Sequence, residues 1–242
     1  MKGRPLRLYR YVDSATAWEC LKEGTLAFTP PARFNDPFDT NPALDLVLND
    51  QQLRALAAEG PPGTTLNLRS IEPAMRKNRR EFMETLMGVA CFSSKANDPL
   101  LWAHYGDRHR GVMIGFDATH SELSGAKRVS YSHKRPFVDI DAQGVSQKLL
   151  IKSRVWKMED EWRMSAWLSK CDIKMISNTP VYIQLLDRTC FASITFGCKA
   201  EESVVVAVSN GLKHWNLKHC ETWRVRLSET TYDLIPERIA IT

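Results

Sequence analysis

Three acids in a row, Glu159, Asp160 and Glu161, stand between two tryptophans in the segment Val155 to Met164, VWKMEDEWRM. Two carboxylates two residues apart do chemistry only if they point the same way. Downstream of the triplet, Trp162, Met164, Ala166 and Leu168 alternate with Glu161, Arg163, Ser165 and Trp167, the period of a strand with one buried face. On a strand that begins at Glu159, Glu159 and Glu161 project together, with Arg163 beyond them; on a continued helix they would diverge by about 200°. A carboxylate pair held in that way suits general acid–base work, or the stabilisation of positive charge that develops during a reaction.

Such a pair needs partners, and four other stretches offer them. Arg10 in LYRY sits on an expected first strand, where its guanidinium fork could hold a phosphate. ACFSS ends a later expected strand with Ser93 and Ser94, hydroxyls able to donate to a carboxylate and fix its rotamer. His104 and Tyr105, with Trp102, lie on the expected helix LLWAHYG, for which Asp98 and Pro99 supply the cap and the first turn. In FNDPFD, Asn35 closes an Asx-type turn before a proline, which makes a rigid corner whose edge could line a cleft.

The elements that would position these residues are strands more often than helices. Asp13 or Ser14 caps a helix over SATAWECLKE that Gly24 ends, and TLAFT follows as a strand. GVMIGFD, VYIQLL, SITFG and TWRVRL read as further strands, with a helix near KAEESVVVAVSNG. Apolar residues at Val145, Leu149, Ile151, Val155, Trp156 and Met158 predict a helix ending near Lys157. A second predicted helix, IEPAMRKNRREFMETLM, buries Met75, Phe82, Met83 and Leu86 and turns Arg76 to Arg80 outward. Strands outnumber regular strand–helix alternations, which favours an α+β class over a doubly wound parallel sheet. Gly60-Pro61-Pro62-Gly63 is a loop, and the 242 residues are expected to form a single domain.

Composition excludes several classes. With 43% hydrophobic and 25% charged residues and no long apolar run, a soluble, cytoplasmic protein without a membrane partner is expected. The first residues, MKGRPLRLYRYV, lack the apolar centre of a secretory signal. Six cysteines without a Cys-x-x-Cys pair predict reduced thiols, and no metal is expected; His219 beside Cys220 has poor ligand spacing. A net charge of +5 permits an anionic ligand but is too mild for a dedicated nucleic-acid binder.

From about Leu8 to Gly197, the segments LYRYV, GTLAFTPPARFNDPFD, ACFSSKANDPLLWAHYGDRHRGVMIGFD and KMEDEWRM resemble the successive motifs of an uncharacterised, mainly bacterial family of unknown function. Their order also resembles the ADP-ribosyltransferase fold, in which a first-strand Arg or His, a Ser-Thr-Ser or Tyr element and a Glu-x-Glu strand surround NAD. That resemblance implies mixed, mostly antiparallel sheets around a nucleotide cleft, with peripheral helices, a core over about residues 7–200 and a C-terminal extension over about 201–242. It makes Arg10 the first-strand residue, Ser93 the serine, Glu161 the catalytic glutamate and Glu159 the carboxylate facing the acceptor. NAD would be the substrate, with Tyr105 or Trp102 stacked on nicotinamide, His104 on the ribose and Asn35 or Asp36 at the cleft edge. The acceptor would be an unknown macromolecule, protein or nucleic acid, as for a bacterial toxin or phage-defence effector. Phe-Ser-Ser-Lys departs from the fold's pattern in lacking the threonine. Two other readings are open: a metal-independent ribonuclease using His104 or His109, and a regulatory module that binds nucleotide or nucleic acid through Arg76 to Arg80 without turnover.

Overall fold

The structure, a computed structural model, describes residues 3–40, 43–44, 87–135, 137–138, 149–176 and 178–240. The predicted Arg76 to Arg80 helix and the Gly60–Gly63 loop lie outside these residues. The chain opens with β1 (Arg7–Val12), α1 (Ser14–Glu23) and β2 (Thr25–Phe28). Asp13 is the cap of α1, accepting from Thr16 N, and Gly24 ends the helix in the left-handed conformation at φ 68°. There follow β3 (Ala43–Leu44), β4 (Met87–Ser93), α2 (Pro99–His104), β5 (Val112–Asp117), β6 (Lys127–Arg128), β7 (Ser130–Ser132), β8 (Phe137–Val138) and β9 (Ile151–Ser153). The last part holds β10 (Glu161–Trp167), β11 (Asp172–Ile176), β12 (Thr179–Leu185), β13 (Phe191–Phe196), α3 (Glu202–His214), β14 (Glu221–Leu227) and β15 (Leu234–Arg238).

Eight strands form the main sheet in the order β15-β14-β13-β5-β1-β4-β10-β6, and β11-β12-β2 form a second sheet. Every neighbour in both sheets is antiparallel except β13 and β14. That parallel step needs a crossover, which α3 supplies. The result is a mixed α+β fold with mostly antiparallel sheets and few helices.

One face of the main sheet carries Leu8, Phe92, Ile114, Phe116, Trp162 and Ile194, all packed in the principal core. Residues 201–240 join this structure directly: Leu212 and Val208 of α3 belong to the same core, and Trp215 meets Trp18 of α1 edge-on at 4.7 Å. On the opposite face a smaller cluster gathers Tyr11, Leu101, Trp102, Met113 and Val225.

The helix predicted to end near Lys157 is not there in the described residues. Residues 151–153 are β9, and Arg154–Glu159 form a 3-10 turn. Ile151, Lys152 and Ser153 pair in parallel with Ser130, Tyr131 and Ser132 of β7, so a neighbouring strand overrides the local helical spacing. The apolar period downstream behaves as expected, since Trp162 and Met164 of β10 pack on the core.

Among the described residues, no helix is long and apolar enough to cross a membrane.

Candidate functional site

β1 and β4 meet at one register only, Tyr9 opposite Ser93, and β4 runs on against β10 with Ser93 opposite Glu161. Tyr9, Ser93 and Glu161 therefore form one row across three strands, on the same face of the sheet. Beyond the Tyr9–Ser93 contact β1 stays with β5, while Val89 of β4 bridges to Thr29. The fork between β1 and β4 opens into a cavity of about 370 Å³. Arg10, Asn35, Ser93, His104, Tyr105, Glu159 and Glu161 all line it, together with the unforeseen Asp39 and Lys152.

The two glutamates converge by a route that the strand period did not describe. β10 begins at Glu161, and Glu159 ends the 3-10 turn. Asp160 between them is left-handed at φ 41°, a conformation that Asp tolerates better than most residues. Its carboxylate is held on both sides, by the Ser94 hydroxyl at 2.6 Å and by the Arg128 guanidinium. This corner, and not a continuous strand, turns Glu159 back toward Glu161.

Both carboxylates meet on Lys152. Its Nζ lies 2.6 Å from Glu159 Oε2, 3.1 Å from Glu161 Oε2 and 3.3 Å from Asp39 Oδ2. Arg163 closes the cluster, donating from Nε to Glu161 Oε1 at 2.7 Å and from Nη2 to Asp39 Oδ2 at 2.6 Å. All five side chains are buried. Among the described residues three acids face two bases, which leaves an excess of one negative charge when all are ionised, and Asp39 Oδ1 has no hydrogen-bond partner. A buried acceptor in that state is open to a hydrogen bond from a water or a ligand.

The two glutamates titrate in opposite directions. Burial pushes Glu159 up, and Lys152 and the Tyr105 hydroxyl, which donates to Oε1 at 2.6 Å, do not offset it. Burial also acts upward on Glu161, but Arg163 and Lys152 outweigh it and hold that carboxyl below its usual range. Lys152 is pulled down by burial and pushed further up by Glu161, Asp39 and Glu159, so it stays charged. A pair whose environments separate them in this way divides into a permanent carboxylate and a proton carrier.

The pH dependence of stability follows from these directions. Stability from Glu161 is present above the ordinary glutamate pKa and lost as pH falls through its lower folded value. For Glu159 the sign reverses: its contribution is present at low pH and lost as pH rises through its raised folded value. In urea unfolding across the acid range, Glu161→Gln should flatten the loss of stability on acidification, and Glu159→Gln should flatten the loss on the way up.

Several expected roles shift. Ser93 Oγ donates not to a carboxylate but to the Glu159 carbonyl oxygen at 2.5 Å, and accepts from Lys95 N; it shapes the Glu159 turn. Arg10, one residue past the row, commits Nη1 to the Ala27 carbonyl at 2.9 Å, one of five donors on its guanidinium. Trp102 is fully buried against Tyr11, ring centroids 5.1 Å apart, and does not line the cavity, so of the two aromatics only Tyr105 faces the cavity. The Asx turn belongs to Asp36, whose Oδ1 accepts from Phe38 N at 2.9 Å, rather than to Asn35. His109 lies outside the cavity lining, with a left-handed φ of 72°. His219 and Cys220 both turn to the Phe191 carbonyl, at 2.9 and 3.4 Å.

Fold and site together define a mixed α+β protein with a cavity at a strand fork, walled on one side by a buried ionic cluster. A family described as Protein of unknown function (DUF2971) matches residues 101–164, a span that runs from α2 into β10 and includes Lys152, Glu159, Glu161 and Arg163. This similarity supports a relation to an uncharacterised family of unknown function. No curated protein matches the chain, and no solved structure does.

Proposed function

We propose that the chain is an NAD-dependent ADP-ribosyltransferase that acts on a macromolecular acceptor and binds NAD in the cavity at the fork. The observation that carries this reading is the row Tyr9–Ser93–Glu161 on three adjacent strands; Arg10, the next residue of the first strand, belongs to the opposite face with Leu8 and lines the same cavity where β1 and β4 part. Together they set a first-strand arginine, a serine and a glutamate around one cavity, the order of that fold's motifs. In the reaction the bond from ribose C1′ to nicotinamide breaks, the electron pair leaves with nicotinamide, and positive charge develops on the ribosyl centre. A carboxylate already ionised and fixed by Arg163 and Lys152 stabilises that charge without having to reorganise. Glu161 fills this role. Glu159, whose raised pKa suits proton transfer, takes the proton from the acceptor nucleophile as it attacks C1′. Arg10 would hold the pyrophosphate, Tyr105 would stack on nicotinamide, His104 would bond the ribose, and Asn35 would line the edge.

The test is incubation with NAD labelled in the adenine half, scoring free nicotinamide and label on protein, RNA or DNA from a lysate. Nicotinamide release with label on one acceptor class is expected. No release with any acceptor class would overturn the reading.

A further inference from the structure

Outside the cavity, three unlike side chains from two distant loops converge. His120 stands in the turn after β5, Glu122 in the short 3-10 turn beside it, and Cys190 just before β13, about seventy residues further along the chain. Cys190 Sγ lies 3.0 Å from His120 Nδ1 and 3.4 Å from Glu122 Oε2, and all three ligand atoms fall within 4.8 Å of one another. None of the three lines the cavity at the fork.

The hydrogen bonds around His120 identify its tautomer. Thr189 Oγ1 donates to Asp187 Oδ1 at 2.6 Å, so toward His120 Nε2, 3.2 Å away, it acts as acceptor. The imidazole proton is therefore on Nε2, and Nδ1 presents a lone pair to Cys190. The 3.3 Å contact from Glu122 N to the same nitrogen agrees with that assignment. Glu122 is fixed too, its Oε2 accepting from Asp187 N at 2.7 Å. An imidazole lone pair, a carboxylate oxygen and a sulfur thus share one S–H proton among them. Asp187 and Asp117 add negative charge close to the thiol.

We propose that His120 Nδ1, Glu122 Oε2 and Cys190 Sγ bind a zinc-class divalent cation, which joins the turn after β5 to the turn before β13. A mixed nitrogen, oxygen and sulfur set suits Zn²⁺ and leaves the fourth tetrahedral position to water. Binding expels the thiol proton to solvent, and the ion replaces the weak Glu122 N–H contact on Nδ1. Metal bonds of about 2.0 Å to nitrogen and about 2.3 Å to sulfur require Sγ and Nδ1 to separate by roughly half an ångström. The Thr189–Asp187 pair behind Nε2 orients the ring, as the partner of a metal-bound histidine does elsewhere.

The experiment is a Co²⁺ titration of the tag-free, full chain, followed by near-ultraviolet absorption, with Zn²⁺ as competitor. One equivalent should produce a thiolate-to-cobalt charge-transfer band that Zn²⁺ abolishes. Cys190→Ser should remove the band, the control Cys171→Ser should keep it, and His120→Asn should weaken the apparent affinity at least about tenfold. His120→Asn keeps a helix-capping residue and leaves the buried thiol in place, so it tests the site even where Cys190→Ser fails to fold. The proposal is overturned by a titration without the band, by a band that survives Cys190→Ser, or by an affinity unchanged in His120→Asn; the cluster is then a hydrogen-bonded thiol and nothing more.

Discussion

Under the proposed reaction, Glu161→Gln should reduce NAD turnover by about a hundredfold or more while the protein still folds, the scale of removing one fixed group that stabilises transition-state charge. Retention of the fold follows from the charge count in the cluster. Wild type sets Asp39, Glu159 and Glu161 against Lys152 and Arg163, so neutralising one acid leaves two carboxylates for two cations. Lys152 keeps Glu159 at 2.6 Å, and Arg163 keeps Asp39 at 2.6 Å and the Leu149 carbonyl at 2.8 Å. The glutamine oxygen can still accept from one of them, but it carries no charge to set against the ribosyl cation. The loss should therefore fall on kcat more than on KM, since the charge exists only in the transition state. A purified, folded variant with an unchanged rate would remove Glu161 from the mechanism.

The second large effect is on stability. Lys152→Met should cost about 3–5 kcal/mol, because it leaves three buried carboxylates facing the single guanidinium of Arg163. Methionine fills much of the same volume, so the cost is electrostatic rather than a cavity. For a chain of this size that loss corresponds to a fall in Tm of roughly 6–20 °C. Denaturant unfolding at neutral pH measures it, and partial recovery in the double variant Lys152→Met, Glu159→Gln would show that uncompensated charge is the cause. Equal losses in the single and double variants would instead place the damage in packing around the Trp156 ring, whose centroid is 5.2 Å from Lys152 Nζ.

Much of the fold was legible in short stretches of sequence. Asp13 and Gly24 bound α1, Asp98 and Pro99 start α2, and the apolar runs that become β4, β5, β12, β13 and β14 are strands because their signals are local: caps, turn residues and a period of two. The alternation from Glu161 onward is local as well and marks β10, but the strand begins at Glu161 and not at Glu159, where the expected pairing of the two glutamates needed it to begin. The stretch before it failed for the opposite reason. Residues 151–159 have helical spacing, yet β7 offers Ile151–Ser153 a parallel partner, and that pairing decides their conformation.

By itself, then, the sequence determined the α+β class, most strand positions and the two glutamates as a pair worth following, since each depends on residues within a turn or two of one another. Only the tertiary structure could bring Lys152 and Asp39 to that pair. A lone lysine in LIKSR and an aspartate after a proline corner carry no signal of their own, and their meaning comes from partners up to 124 residues away, as with Arg163 and Asp39. The same holds for His120 and Cys190, 70 residues apart and in contact. Charge pairing and metal-ligand geometry act through distances in space, and no periodicity along the chain encodes them.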